Sequence, residues 1–571
     1  MKSLLAQKIE KRPVQIQLTG RILFLTEDPE LIRQQLAGKE IEWDRQRPER
    51  NPELRDDITT GEIVPEAIES FDNTLSEFVY TGLNCGGQFP IRRGEIRRGG
   101  FVATVSGKRR GLGPCREHSA YAERSAGIQL VLAESFEHIY RQNCQDLGLL
   151  TSSNFELIRM IRRGQAIPLC AFTGGEDEIT KQVIEYGGLF PYSIARLQKK
   201  ILLPPITTGP RPMTVVEKIF ARHLIDPRGR EGVPAVKPGD AGFVRGVTEP
   251  RSESALSPVA VFSRHYLGKE APGNGPESAS WFTRDVRVKV PESVKVKVGG
   301  RRRPNVAIHD LILKILSLDY VHSGKAWSKV VEFSGGAIKA LSIEERTAIT
   351  AMAAEIGGIT SMIAPDRKTA AFLEEHRGIS RKSAEAMIAG LSSDPDAEYA
   401  HTIGVDAAEI HPMVASPGSP GDGEPVCGLT TRTAVNVAYG GVYSPQDMDI
   451  YAQVLSDALA QGCHVPLACR FYIPLGSREM KEYCAERGYL KIFYKTGVTV
   501  IEPDDCAAGT ASAADLRASP GMIEIGRRNF PRCGSAEQIF LASPFTVAAS
   551  AVAGYLVEYK LAETRRLARA A

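Results

Sequence analysis

Short apolar runs alternate with helix-like repeats along the first part of the chain. Residues 16–24, 101–105 and 128–132 read as strands with helices between them, the pattern of a small α/β or β-barrel-like unit over about residues 15–198. The run LLPPITTGPRP at 202–212 breaks regular structure, and its proline density predicts a stiff, extended linker. Regular structure resumes at once, because Thr214 stands three residues before Glu217, the spacing of a capping box that opens a helix. Residues 107–113 form a Gly-rich turn ahead of an Ala-rich helical pattern, and residues 268–280 read as a flexible Gly/Pro/Ser connector. No apolar run reaches the roughly 18 residues that a spanning helix requires, so no membrane association is expected.

Composition narrows the class only a little. At 571 residues the chain is too long for one core, and about two to four domains are expected. With 43% apolar residues, 24% charged residues and a net charge of +3, there is no reason to expect nucleic acid. Arg301, Arg302 and Arg303 read as a solvated loop. The first turn is charged and lacks the apolar core of a signal peptide, so a cytoplasmic location is expected. Ten cysteines are scattered without C-x-x-C spacing, as reduced thiols would be.

The most informative chemistry lies in Cys115-Arg116-Glu117-His118, directly after the Gly-rich turn. A glycine-rich helix start leaves backbone N–H groups unpaired, and an arginine there can grip a carboxylate through two parallel bonds. A small, multiply charged carboxylate is the expected ligand. Cys115 at such a terminus, beside Arg116, has a thiol biased toward thiolate, fit to act as base or nucleophile. His118 can orient a ligand or exchange a proton. Each has a plainer reading: Cys115 packed under Pro114, and His118 bonded to backbone.

This stretch resembles the G-S-S-R-E-H motif in the swivel domain of aconitases and 3-isopropylmalate dehydratases. Residues 56–65, DDITTGEIVP, are similar to the family's N-I-T-T-D-E-I-x-P segment, and residues 139–150 to the strand and turn after the swivel helix. The segment from Met213 resembles the start of the family's large subunit, residues 411–418 a turn before the cluster-bearing domain, and residues 527–532 and 541–544 the R-N-F-x-G-R and L-A-S-P segments. The resemblance implies an α/β, aconitase-like fold: three-layer α/β/α body domains plus an N-terminal swivel β/α domain. The implied organisation is a swivel-like domain at 1–200, the linker at 201–212, a body at 213–425 shortened in the region 255–281, and a C-terminal α/β/α domain at 426–571. Arg116, Arg528, Arg532 and Ser543 match substrate-binding positions, and Cys115 stands where the family has its catalytic serine.

The chain departs from the family at the metal. The family holds a 4Fe–4S cluster through three thiolates and leaves one iron open as a Lewis acid. The corresponding turn, residues 439–446, contains Val442 and Tyr443 and no cysteine. Of the family's C-x-x-C, Cys506 at most survives as a remnant. No cofactor is therefore expected. The resemblance implies a lyase or isomerase acting on an isopropylmalate-like or citrate-like acid, or its unsaturated derivative, without a cluster. Two alternatives stand beside it: an inactive carboxylate-binding or partner protein, and a conventional cluster-dependent hydro-lyase. Expected partners are the small di- or tricarboxylate and either a second copy of the chain or an intact homologue.

Overall fold

Four short apolar runs, Arg21–Phe24, Phe101–Ser106, Leu130–Ala133 and Leu150–Ser152, pair side by side in that order as an all-parallel sheet. The structure, a computed structural model, describes residues 6–44, 47–65, 74–113, 117–245, 285–351, 356, 358–417, 419–441, 444–502, 522–524 and 539–560. These fold as two compact units: Met1–Arg211 with Ile219–Val290, and Pro212–Lys218 with Pro291–Ala571.

In the first unit, every residue of Phe101–Ser106 and Leu130–Ala133 is buried, as expected of parallel strands covered on both faces. Successive side chains feed opposite cores. Leu23 and Val131 pack with Ala120 and Tyr140 on one face; Phe24, Leu130 and Leu132 pack with Leu157 and Ile161 on the other. The sheet is open rather than barrel-like. The stretch read as one strand at 16–24 is two: Gln15–Ile16 pairs with Ile167–Pro168, and Arg21–Phe24 joins the main sheet. Between them Gly20 passes so close to Val102 that a Cβ there would lie 2.9 Å from the valine Cβ.

Residues 219–245 and 285–290, which the resemblance groups with the body, belong to the first unit. The antiparallel pair of Ala241–Arg245 and Asp285–Lys289 explains why. Phe243 stacks on Tyr192 with ring centroids 6.1 Å apart. Arg287 bonds Thr180 at 2.7 Å and Gln145 at 3.2 Å, and also reaches Asp146. The proline-rich stretch is irregular, as expected, and is tied down by Thr208 donating to Asp240 at 2.7 Å.

The second unit has two sheets. Thr360–Ile363, Val330–Ser334, Ser293–Gly299 and His401–Asp406 form a parallel sheet in that order. A seven-stranded mixed sheet runs Gly423–Pro425, Met413–Ala415, Ile539–Ala542, Met522–Glu524, Val437–Tyr439, Arg470–Pro474, Val498–Ile501. The helix Ile308–Leu316, buried except at Lys314, contributes to the core that joins residues of both sheets. The capping box is present: Thr214 N donates to Glu217 at 2.7 Å and Glu217 N to Thr214 Oγ1 at 3.2 Å. Among the described residues no helix is long and apolar enough to cross a membrane.

Candidate functional site

In the first unit the loops leaving the carboxyl ends of the strands are laced together by backbone bonds. Arg55 N donates to Leu25 O at 2.8 Å, Gly107 N to Arg55 O at 2.9 Å, and Glu134 N to Gly107 O at 3.0 Å. Further along, Asp57 N bonds Lys108 O at 2.9 Å, Gly111 N bonds Ile58 O at 2.8 Å, and Thr60 N bonds Leu112 O at 2.9 Å. Residues 55–60 therefore run beside 107–112, although about fifty residues separate them in sequence. Asp57 and Arg109 both adopt left-handed backbone, at φ 55° and 54°, and their side chains form an ion pair.

Two helices start at this edge. Thr59 caps Thr60–Ile63 in a full capping box with Glu62. Ser119, on the helix Glu117–Ser125, donates to Thr60 O at 3.1 Å and pins the two helices together. The third motif closes the arrangement, because Gly111 lies against the Tyr140 ring, where a Cβ would meet Cγ at 2.2 Å. Three stretches that are separate in sequence thus meet at the carboxyl edge of one parallel sheet, where open α/β sheets bind ligands.

His118 sits in the first turn of Glu117–Ser125, partly exposed. Burial, with the Asp146 charge adding, pushes Glu117 up to about 7. A carboxyl titrating near neutrality at such a turn can take up or release a proton under working conditions. Sequence reasoning quoted Glu117 without assigning it a role, because the desolvation that matters comes from tertiary packing. Cys115 and Arg116 lie outside the described residues, as do Arg528, Arg532, Cys506, Val442, Tyr443 and the region 255–281.

Beneath the turn lies a buried polar cluster. Arg110 is fully buried, bonded to Glu123 and to Tyr80 Oη at 2.6 Å each, and Tyr140 donates to the other Glu123 oxygen at 2.5 Å. Tyr80 also donates to Glu123; burial opposes the Arg110 charge, and the Glu123 carboxylate bonded to it more than offsets that, so that Arg110 stays cationic.

In the second unit, carboxyls close helix starts. Asp310 accepts from Ala307 N at 2.7 Å and Met413 N at 2.8 Å, and shares a hydrogen bond with Ser543. Burial outweighs these bonds and lifts Asp310 to about 7. Ser543 is itself fully buried, at the start of Pro544–Ala553, with Thr546 Oγ1 3.5 Å from its hydroxyl. Asp447 accepts from Ser444 N at 3.0 Å at the start of Pro445–Ala460, and its other oxygen lies 3.9 Å from His309. Burial holds His309 below its ordinary value, hence neutral. Sequence reasoning missed Asp310 and Asp447; the signal available was a carboxylate three residues into each helix.

Among the described residues no group of three or more His, Cys, Asp or Glu side chains is placed to hold a metal ion. The arginine run at 301–303 is irregular, as expected, and Arg301 is exposed, but its other two side chains are engaged. Arg302 pairs with Glu345 at 2.6 Å, and Arg303 bonds Ala408 O at 2.8 Å and lies 3.1 Å from His411.

Comparison with known proteins agrees with this architecture. The sequence profile of the Aconitase family (aconitate hydratase) matches residues 274–439 and 442–554, and that of the Aconitase C-terminal domain matches residues 95–154. The second profile therefore lies ahead of the first. The 3-isopropylmalate dehydratase large subunit of Aquifex aeolicus is 32% identical over 296 residues, covering 50% of this chain and 66% of that one. The large subunit of Desulfatibacillum aliphaticivorans is 31% identical over 296 residues, covering 50% and 67%. The chain thus spans about two thirds of the length of these relatives. Superposition on the 3-isopropylmalate dehydratase structure of Methanocaldococcus jannaschii covers 25% of this chain and 92% of that one, at 22% identity and a TM-score of 0.20, too low to carry weight. The sequence relationship suffices: the chain belongs to the aconitase and 3-isopropylmalate dehydratase superfamily.

Proposed function

We propose that this chain is a lyase or isomerase of that superfamily, acting on a small di- or tricarboxylate without an iron–sulfur cluster. The observation that carries the reading is the meeting of residues 55–63, 107–125 and Tyr140 at one sheet edge. Cys115 and Arg116 stand between Gly113 and Glu117 in the sequence, outside the described residues. In the proposed reaction Arg116, with Arg528 and Arg532, holds the substrate carboxylates. Cys115 or His118 removes the proton next to a carboxylate, and Glu117 is a second proton carrier. Ser543, matched by resemblance to a substrate-binding position, is fully buried with its hydroxyl bonded to Asp310.

The donor set does not fit a three-thiolate cluster. Residues 439–446 include no cysteine, and the family profile breaks at residues 440–441 within them. The proposed reaction uses no iron. Without a Lewis acid, a substrate that need not expel hydroxide, such as an unsaturated or substituted dicarboxylate undergoing isomerisation, asks least of the site. A screen of 2-hydroxy and unsaturated di- and tricarboxylates, followed by proton NMR, tests this. Turnover that survives chelation supports the reading. Saturable binding without turnover favours the inactive carboxylate-binding alternative, with an intact homologue as partner.

A further inference from the structure

The second unit holds a cavity of about 250 Å³ at the carboxyl ends of its four-stranded parallel sheet. The chain leaves Ser293–Gly299 for Val330–Ser334 on one side, then crosses back from Thr360–Ile363 to His401–Asp406 on the other. Connections that diverge from a strand in this way open a crevice at its carboxyl end. Gly300, Gly336 and Ala407, each just past a strand end, line the opening with small residues.

Its polar groups leave something unmet. Arg302 donates from Nη2 to Glu345 Oε1 at 2.6 Å, while Glu345 Oε2 accepts from Ser342 N at 3.1 Å. Both carboxylate oxygens are thus engaged. Arg302 Nη1 is buried and has no hydrogen-bond partner. A buried cationic N–H without an acceptor is costly, and such groups in native proteins find one. Arg301 lines the same cavity, exposed, and adds a second positive charge against the single charge of Glu345. Arg303 is turned away toward Ala408 and His411. The remaining wall is apolar, with Ile308, Leu311 and Leu341 on it. A mostly apolar pocket with a few converging donors is the usual form of a small-molecule site.

We propose that this cavity binds a small organic acid, its carboxylate on Arg302 Nη1 and Arg301 and its hydrocarbon part against Ile308, Leu311 and Leu341. The site stands whether or not the chain turns over a substrate at the first unit's edge.

Titration calorimetry of the full chain with 4-methylpentanoate, 4-methylpentanamide and inorganic phosphate tests it. The acid is expected to bind saturably, and the amide about tenfold more weakly or not at all, because it lacks the charge. Arg302→Lys keeps the pairing with Glu345 but loses the second arm of the fork, and should weaken the acid about tenfold. Arg301→Gln, at an exposed position, should weaken it severalfold and keeps the test open if Arg302→Lys does not fold. Absence of acid binding, affinity unchanged in Arg301→Gln and in folded Arg302→Lys, or phosphate binding in preference to the acid would each overturn the proposal.

Discussion

Two fully buried carboxyls, Glu123 in the first unit and Asp310 in the second, meet opposite surroundings. Glu123 faces a buried guanidinium, Arg110, and the hydroxyls of Tyr80 and Tyr140. Asp310 faces backbone N–H groups and Ser543, forms no ion pair among the described residues, and is pushed by burial up to about 7 despite the Arg302 charge. The first arrangement keeps an ion pair in the core under the turn of residues 107–113; the second closes a helix start with a carboxyl that gives up its charge readily. A buried charge lasts when another charge faces it, and otherwise the proton returns.

Breaking the first side should cost most. Glu123→Gln leaves Arg110 buried without its counter-ion, and is expected to cost about 3–5 kcal/mol. Denaturant unfolding of the purified chain reads this, and a loss below about 1 kcal/mol would mean that the pair is not isolated from water. Next comes Glu117, the carboxyl that links fold to proposed chemistry. Glu117→Gln should lower turnover about a hundredfold. It should also remove a limb near pH 7 from the rate profile, and an unchanged profile would deny Glu117 any part in proton transfer.

The second side is sharpened by pH. Asp310 has a folded value of about 7 against an ordinary 3.8, so the folded state holds the proton more tightly. Its contribution to stability is complete below about pH 4 and is lost as the pH rises through about 7, with a slope of at most about 1.4 kcal/mol per pH unit. Asp310→Asn should be less stable than wild type at pH 4 yet lack that slope, as melting curves across the range would show. A slope that persists belongs to another group. The smallest effect is expected at Thr214, where loss of the cap in Thr214→Ala should cost about 1 kcal/mol. Denaturant unfolding should show that change with activity intact.

Much of this was legible in the residues. The capping box at Thr214 and Glu217 and the buried strands near 101–105 and 128–132 follow from local spacing and periodicity, which tertiary packing did not override here. The motif resemblance identified the superfamily, because the three stretches of the swivel edge carry their signatures in short contiguous runs. Other features depend on contacts between distant residues. Nothing in KRRG at 108–111 distinguishes Arg109, paired at the surface, from Arg110, enclosed by two tyrosines and Glu123. Glu117 and Asp310 acquire their shifted titration only once burial removes water from them. The single strand read at 16–24 is two, because Gln15–Ile16 and Arg21–Phe24 pair with different strands, Ile167–Pro168 and Phe101–Ser106, neighbours that sequence alone does not supply.

In the proposed function the chain keeps the superfamily's carboxylate-binding edge while working without the cluster. Iron and acid-labile sulfide, measured after anaerobic purification and reconstitution with the visible spectrum recorded alongside, test it most directly when coupled to the carboxylate screen. The account predicts neither iron nor sulfide in stoichiometric amount, and turnover of an unsaturated or substituted dicarboxylate that chelators leave unchanged. A stoichiometric cluster whose removal abolishes turnover would contradict it, and would return the chain to conventional hydro-lyase chemistry with Cys506 as one anchor.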